Sequence, residues 1–118
     1  EVAGLESAGK KQIDGESLVS LFQQTGRPKR RELFFHFPNY AWHMDNRLGG
    51  AVRAGDHKLI RNYDDGSVEL YNLKSDLSET KNLAKRQPEI AARLNRKLGQ
   101  WLADTGALMP KPPRPRGR

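Results

Sequence analysis

Cysteine is absent from all 118 residues. That excludes disulfides, a thiolate nucleophile and cysteine metal ligands, and it leaves the compartment open. Long apolar runs are missing too. No stretch approaches the roughly 18 residues that a membrane-spanning helix needs. The opening residues, Glu1-Val2-Ala3-Gly4, carry no basic n-region and no apolar h-region, so they do not read as a signal peptide. They also lack an initiator methionine, and the chain reads as a piece cut from something longer. An export signal, where that longer chain has one, lies upstream. Apolar residues make up 36% of the chain, which suits one small domain with a modest core and no more.

The familiar catalytic and nucleotide motifs are missing as well. There is no G-x-S-x-G elbow, although composition alone does not exclude a Ser-His-Asp triad. There is no P-loop and no dinucleotide fingerprint. Three histidines are present, His36, His43 and His57. The spacing of His36 and His43 fits no common metal site, and His57 falls on a separate strand, so this chain alone is expected to build no metal site.

Base outnumbers acid, for a net charge of +7. That raises nucleic-acid binding as a possibility. The distribution argues against it. Arg27, Lys29, Arg30 and Arg31 form one cluster, and Lys111, Arg114, Arg116 and Arg118 another. Lys81, Lys85, Arg86, Arg93, Arg96 and Lys97 lie near or on a predicted helix, with acidic residues interleaved through the middle. The pattern reads as solvated surface and tail, and no nucleic-acid motif accompanies it.

Patterning organises what is there. Residues 1–31 read as an irregular lead-in, with a short helix possible over Ser17–Gln24, ended by Gly26 and Pro28. Aromatic-rich Glu32–Phe37 reads as a strand that stops at Pro38. Gly49–Ala54 is a second strand. His57–Tyr63 and Val68–Leu73 alternate with period two. Gly55-Asp56 reads as a tight turn, and Asp65-Gly66 is a hairpin signal. Pro88–Asp104 reads as a helix, with Ile90, Leu94, Leu98, Trp101 and Leu102 on one stripe, Pro88 in the first turn and Gly106 at the cap. The expected fold class is α+β, a small antiparallel sheet of about four strands with one C-terminal amphipathic helix across one face. If its indole is buried, Trp101→Ala should cost about 3–5 kcal/mol. Residues 107–118 form a Pro- and Arg-rich tail expected to be extended or disordered.

The most unusual stretch is Phe35-His36-Phe37-Pro38-Asn39-Tyr40-Ala41-Trp42-His43. It sets imidazoles, a phenol, an indole and an amide at a strand end, where ligand contacts are common. An aromatic core with a satisfied histidine is the plainer reading.

Four segments resemble the C-terminal subdomain of formylglycine-dependent sulfatases, of the arylsulfatase or N-acetylgalactosamine-6-sulfatase type. Asp14-Gly15-Glu16-Ser17-Leu18 is similar to D-G-x-S-L, and Phe35–Tyr40 to [FW]-H-F-P-x-Y. Ala51–Ile60 is similar to A-[VI]-R-x-G-D-W-K-L-I. Glu69–Leu73 with Asp76, Glu79, Asn82 and Leu83 is similar to E-L-Y-N-L-x-x-D-P-x-E-x-x-N-L. They run in the family's order over residues 14–84, with the helix following. His57 stands where the family usually has Trp, and Leu77 where it has Pro; both departures bear on packing. Asp76, Glu79 and Asn82 are expected to cap backbone N–H groups, and Tyr71 and Leu73 to pack a sheet face.

The resemblance implies a parent that hydrolyses sulfate esters with a formylglycine, made from Cys or Ser in a C-x-P-x-R-type motif, beside a calcium ion. Both belong to a large N-terminal α/β domain. This chain has no such motif, so no catalytic residue and no metal ligand is expected in it. On this reading residues 1–31 lead in from the catalytic domain and residues 32–106 form the subdomain. The partners implied are that catalytic domain and a sulfated substrate, with no nucleic acid and no membrane, in an exported parent, periplasmic or secreted. The subdomain's usual place near the active-site mouth makes His36, Asn39 and His43 the candidate substrate-binding residues, since imidazole and amide can donate hydrogen bonds to sulfated or hydroxylated ligands. The alternative is an independent basic module for sulfated polysaccharide or nucleic acid.

Overall fold

Alternation sets the architecture. In a strand, successive side chains face opposite ways, so a period-two sequence makes a sheet with one face for a core. A computed structural model describes residues 15–27, 29–39 and 46–111. The chain divides into two compact units, residues 1–31 and 32–118.

In the first unit, the short helix α1 covers Val19–Phe22, less than the Ser17–Gln24 expected. The Glu16 carboxylate accepts the backbone N–H groups of Lys29 and, at 2.8 Å, Arg30. Those bonds, the Arg30 one foremost, hold its carboxyl below the usual range.

The second unit is the α+β fold read from the sequence. Strands β1 (Glu32–Phe37), β2 (Gly49–Ala54), β3 (His57–Asn62) and β4 (Val68–Asn72) form an antiparallel meander in chain order, followed by helix α2 (Pro88–Asp104). Ala54 pairs with His57, so Gly55-Asp56 is a two-residue turn. Gly55 has φ +60 and Asp56 does not share it, the type II′ pattern that matches strand twist. The β3–β4 connection is longer than an Asp-Gly pair. Asn62 N–H bonds the Ser67 carbonyl at 2.9 Å, leaving four residues in the loop, with Gly66 at φ +71.

One cross-strand row builds the core. Phe34 pairs with Val52, Val52 with Leu59, and Leu59 with Leu70. Val52, Leu59 and Leu70 are fully buried beneath Ala91, Leu94, Leu98 and Leu102 of α2. The helix lies over β2, β3 and β4. Removing any one of those buried leucines should cost about 2–5 kcal/mol.

Trp101 lies on the packed face of α2, as its place on the stripe predicts. It is half-buried and stacks on Phe34 of β1, with ring centroids 5.1 Å apart and planes within 6°. Ala91, absent from the predicted stripe, joins the core. Pro88 stands in the first turn as read. The helix ends in a Schellman motif, with Ala107 N–H on the Leu102 carbonyl at 2.9 Å and Gly106 N–H on that of Ala103 at 3.1 Å.

The segment after β4 is organised by side-chain acceptors. Asp76 takes the backbone N–H groups of Thr80 and Lys81 at 3.1 and 2.8 Å. Asn82 Oδ1 takes those of Leu70 and Ala84 at 3.2 and 2.9 Å. Glu79 does different work from the capping expected of it. Its carboxylate pairs with Lys58 Nζ at 2.6 Å, and its own backbone sits at φ 55.

Candidate interface and the histidine at the end of β1

His36 lies on the helix side of the sheet, near the end of β1. Its Nδ1 is 2.7 Å from the Tyr63 hydroxyl and its Nε2 is 3.1 Å from the Leu108 carbonyl. A carbonyl only accepts, so Nε2 carries a proton. In the neutral ring Nδ1 is then bare, and the Tyr63 hydroxyl donates to it. Burial pushes the Tyr63 phenol up, against the pull of the Arg61 guanidinium. Gly50, opposite His36 in the β1–β2 register, makes room for this pair. A Cβ there would sit 2.3 Å from the Tyr63 hydroxyl oxygen.

Beyond β1, Asn39 is exposed, and its backbone carbonyl accepts from the Asn46 side-chain amide at 3.3 Å. His43 lies outside the described residues, as do residues 112–118 of the tail. The structure therefore brings His36 together with Tyr63 and Leu108. Sequence reading missed both partners, because a bond between residues 27 or 72 positions apart leaves no local signal. His57, read as a sheet residue, is the first residue of β3.

The face away from α2 is sealed on one side only. Near β4, Tyr71 is 8% exposed and donates its hydroxyl to Glu69 at 2.8 Å. Burial and that bond push its phenol up to about 12. The Lys58–Glu79 pair also lies on this side. Near β1 the apolar side chains stand open, with Leu33, Phe35 and Phe37 at 45%, 55% and 46% exposure. Phe35 and Phe37, with Ala51, Arg53 and Ile60, line a broad concavity of about 830 Å³.

The family description "N-sulphoglucosamine sulphohydrolase, C-terminal" matches residues 1–104. The chain belongs to this sulfatase C-terminal family. A protein of Formosa agariphila named "Sulfatase" is 38% identical, over 91% of this chain and 22% of its own length. A structure of a protein in complex with its substrate D-glucosamine-2-N,6-O-disulfate is 25% identical, with TM-score 0.65, covering 86% of this chain and 21% of that one. A 2-O GAG sulfatase structure shares the fold, at 22% identity and TM-score 0.66, covering 90% of this chain and 23% of that one. The sulfatase subdomain thus spans about a fifth of the length of the relatives it matches.

The family resemblance implies a calcium ion and a formylglycine in the parent. Among the described residues, no three His, Asp or Glu side chains converge to hold calcium. The sequence has no cysteine and no serine in a C-x-P-x-R-type setting from which a formylglycine could form. Among the described residues, no helix is long and apolar enough to cross a membrane.

Proposed function

We propose that this chain is the C-terminal subdomain of an exported sulfuric ester hydrolase, seated on a catalytic domain that supplies formylglycine and calcium. The observation that carries the reading is the family match over residues 1–104, set against relatives of which this length is only about a fifth. The chain alone then hydrolyses no sulfate ester. It contributes structure beside the active-site mouth, and the segment after β1 is its reach toward a sulfated substrate.

Within that segment, Asn39 and His43 are proposed as substrate-side groups together with His36. Geometry sets a condition on His36. Both ring nitrogens are engaged, so a ligand contact at Nε2 requires displacing the Leu108 carbonyl. The test uses the full gene product and the 118-residue chain side by side on aryl sulfates and N- or O-sulfated glucosamines. Sulfate release by the full product and none by the chain is the expected result; turnover by the purified chain sinks it. In the full product, a substrate role for His36 predicts a fall of about tenfold or more in kcat/KM for His36→Ala with the Tm unchanged. A lowered Tm with full activity per folded molecule makes His36 a structural residue and removes it from the pocket.

A further inference from the structure

Between Glu79 and Asp104 the chain carries Lys81, Lys85, Arg86, Arg93, Arg96 and Lys97 against a single carboxylate, Glu89. All of these bases are exposed. Lys97 is neutralised by Glu32 of β1. Among the described residues, Lys85, Arg86, Arg93 and Arg96 pair with no carboxylate. Glu89 stands one turn before Arg93, the spacing at which helix ion pairs form, yet it pairs with no base among the described residues.

The fold sets these four cations along α2 and its entry turn. Ala91, Leu94, Leu98 and Leu102 face the sheet. Arg93 and Arg96, three apart and so neighbours on a helix surface, are left on the solvent side. Lys85 and Arg86 sit in the turn that enters the helix. Backbone bonds fix that turn. The N–H groups of Arg86 and Gln87 both reach the Leu83 carbonyl, at 2.9 and 2.8 Å, and Ala84 N–H reaches Asn82 Oδ1 at 2.9 Å. A shallow hollow beside it is lined by Lys81, Asn82, Leu83 and Arg86. From Arg86 to Arg96 the strip runs roughly 15 Å at the rise of an α-helix.

Helix stability does not account for this placement. The helix dipole favours acid at the start and base at the end. Glu89 alone obeys that rule. Lys85 and Arg86 precede the N-cap, Gln87, and the last turn holds Asp104 and no base.

We infer that Lys85, Arg86, Arg93 and Arg96 form a docking strip for a sulfated polysaccharide, apart from the ester that is cleaved. This rests on the reading above that the parent acts on a sulfated substrate. A sulfated polymer carries many anions, and the cleaved ester is one of them. Unpaired cations elsewhere hold a neighbouring stretch of the chain and raise its local concentration. A guanidinium presents a planar fork of donors to phosphate oxygens, and sulfate offers the same tetrahedral set. Nucleic acid is the poorer fit. Single strands bind by stacking bases on aromatic platforms, whereas Trp101 of α2 is stacked on Phe34. The exposed neutral neighbours of the arginines are Ala92 and Gln100.

The full gene product tests this, with heparin as the polymeric probe and an N- or O-sulfated glucosamine as the small substrate. Combined Arg93→Glu and Arg96→Glu should weaken heparin binding at least about tenfold at low salt and make its salt dependence shallower. The KM for a sulfated polymer should rise by a similar factor, while kcat/KM for the monosaccharide moves by less than about twofold and the Tm holds. Combined Arg27→Glu and Arg31→Glu makes the same charge change at exposed positions off the strip, and should cost less than about threefold. Equal losses from the two pairs would show net charge at work and overturn the strip. Duplex DNA bound as tightly as heparin at the same salt would overturn the choice of ligand. Sulfate release is scored separately from binding. Heparin binding that depends on Arg93 and Arg96, in a product that cleaves no sulfate ester, removes the sulfatase reading and keeps the strip. An active product whose heparin affinity and polymer KM ignore both arginines removes the strip alone.

Discussion

Replacing Gly50 with alanine tests the polar pair beneath β1. The position has ordinary strand backbone, so the effect comes from space and not from φ. The added Cβ lies 2.3 Å from the Tyr63 hydroxyl oxygen, 3.1 Å from Cζ and 3.4 Å from Leu98 Cδ2. Ordinary contact needs about 3.4 Å, so the phenol must retreat by about 1 Å. Leu98, fully buried, gives the chain little slack there. Retreat breaks the 2.7 Å bond to His36. Overpacking of this kind costs about 1–3 kcal/mol. A lost hydrogen bond costs about 1 kcal/mol. The expected total is roughly 2–4 kcal/mol.

Tyr63→Phe alone should cost about 1 kcal/mol, the bond without the clash. With both changes the clashing oxygen is gone and only the tight Cζ contact remains. The double variant should therefore be more stable than the summed single effects by about 1 kcal/mol or more. Urea titration of the four proteins, followed by Trp fluorescence, measures the cycle. Additivity within about 0.3 kcal/mol would refute the argument that Gly50 exists to admit the Tyr63–His36 pair.

Two further outcomes follow from the same geometry. Because Trp101 is half-buried and its chief aromatic contact is Phe34, Trp101→Ala should cost about 2–3 kcal/mol, below the range for a fully buried indole; a loss under about 1 kcal/mol in urea would show that the stack contributes nothing. Asp76 is held below its ordinary 3.8 by the backbone N–H groups of Lys81, then Thr80. A depressed carboxyl stabilises the fold above its unfolded pKa and loses that benefit as pH falls through the folded value. The stability gap between wild type and Asp76→Asn should thus be level above about pH 5 and close progressively below pH 4; a gap that stays constant to pH 2 would rule out the carboxylate as the acceptor.

Much of this domain was legible locally. Pro38 after an aromatic run, Gly55-Asp56 between alternating runs and the Leu94–Leu98–Leu102 spacing each encode a backbone choice within a few residues. The strands β1 and β2 and helix α2 follow those signals residue for residue. Asp76 and Asn82 also behave as their short side chains suggest, because an Asx acceptor reaches only the nearest N–H groups. Glu79 did not, since its longer side chain found Lys58 21 positions away.

The sequence by itself determined the elements, their order and the family, all of which rest on local patterns and on motifs in a fixed order. Only the tertiary structure decided which face of β1 looks inward. That choice joined His36 to Tyr63 and Leu108 and left Leu33, Phe35 and Phe37 in the open. Alternation says that residues 34 and 36 share a side; it does not say which side the helix will take. The helix settles that, because it buries the row in which Val52, Leu59 and Leu70 align, and β1 is carried along by its register with β2.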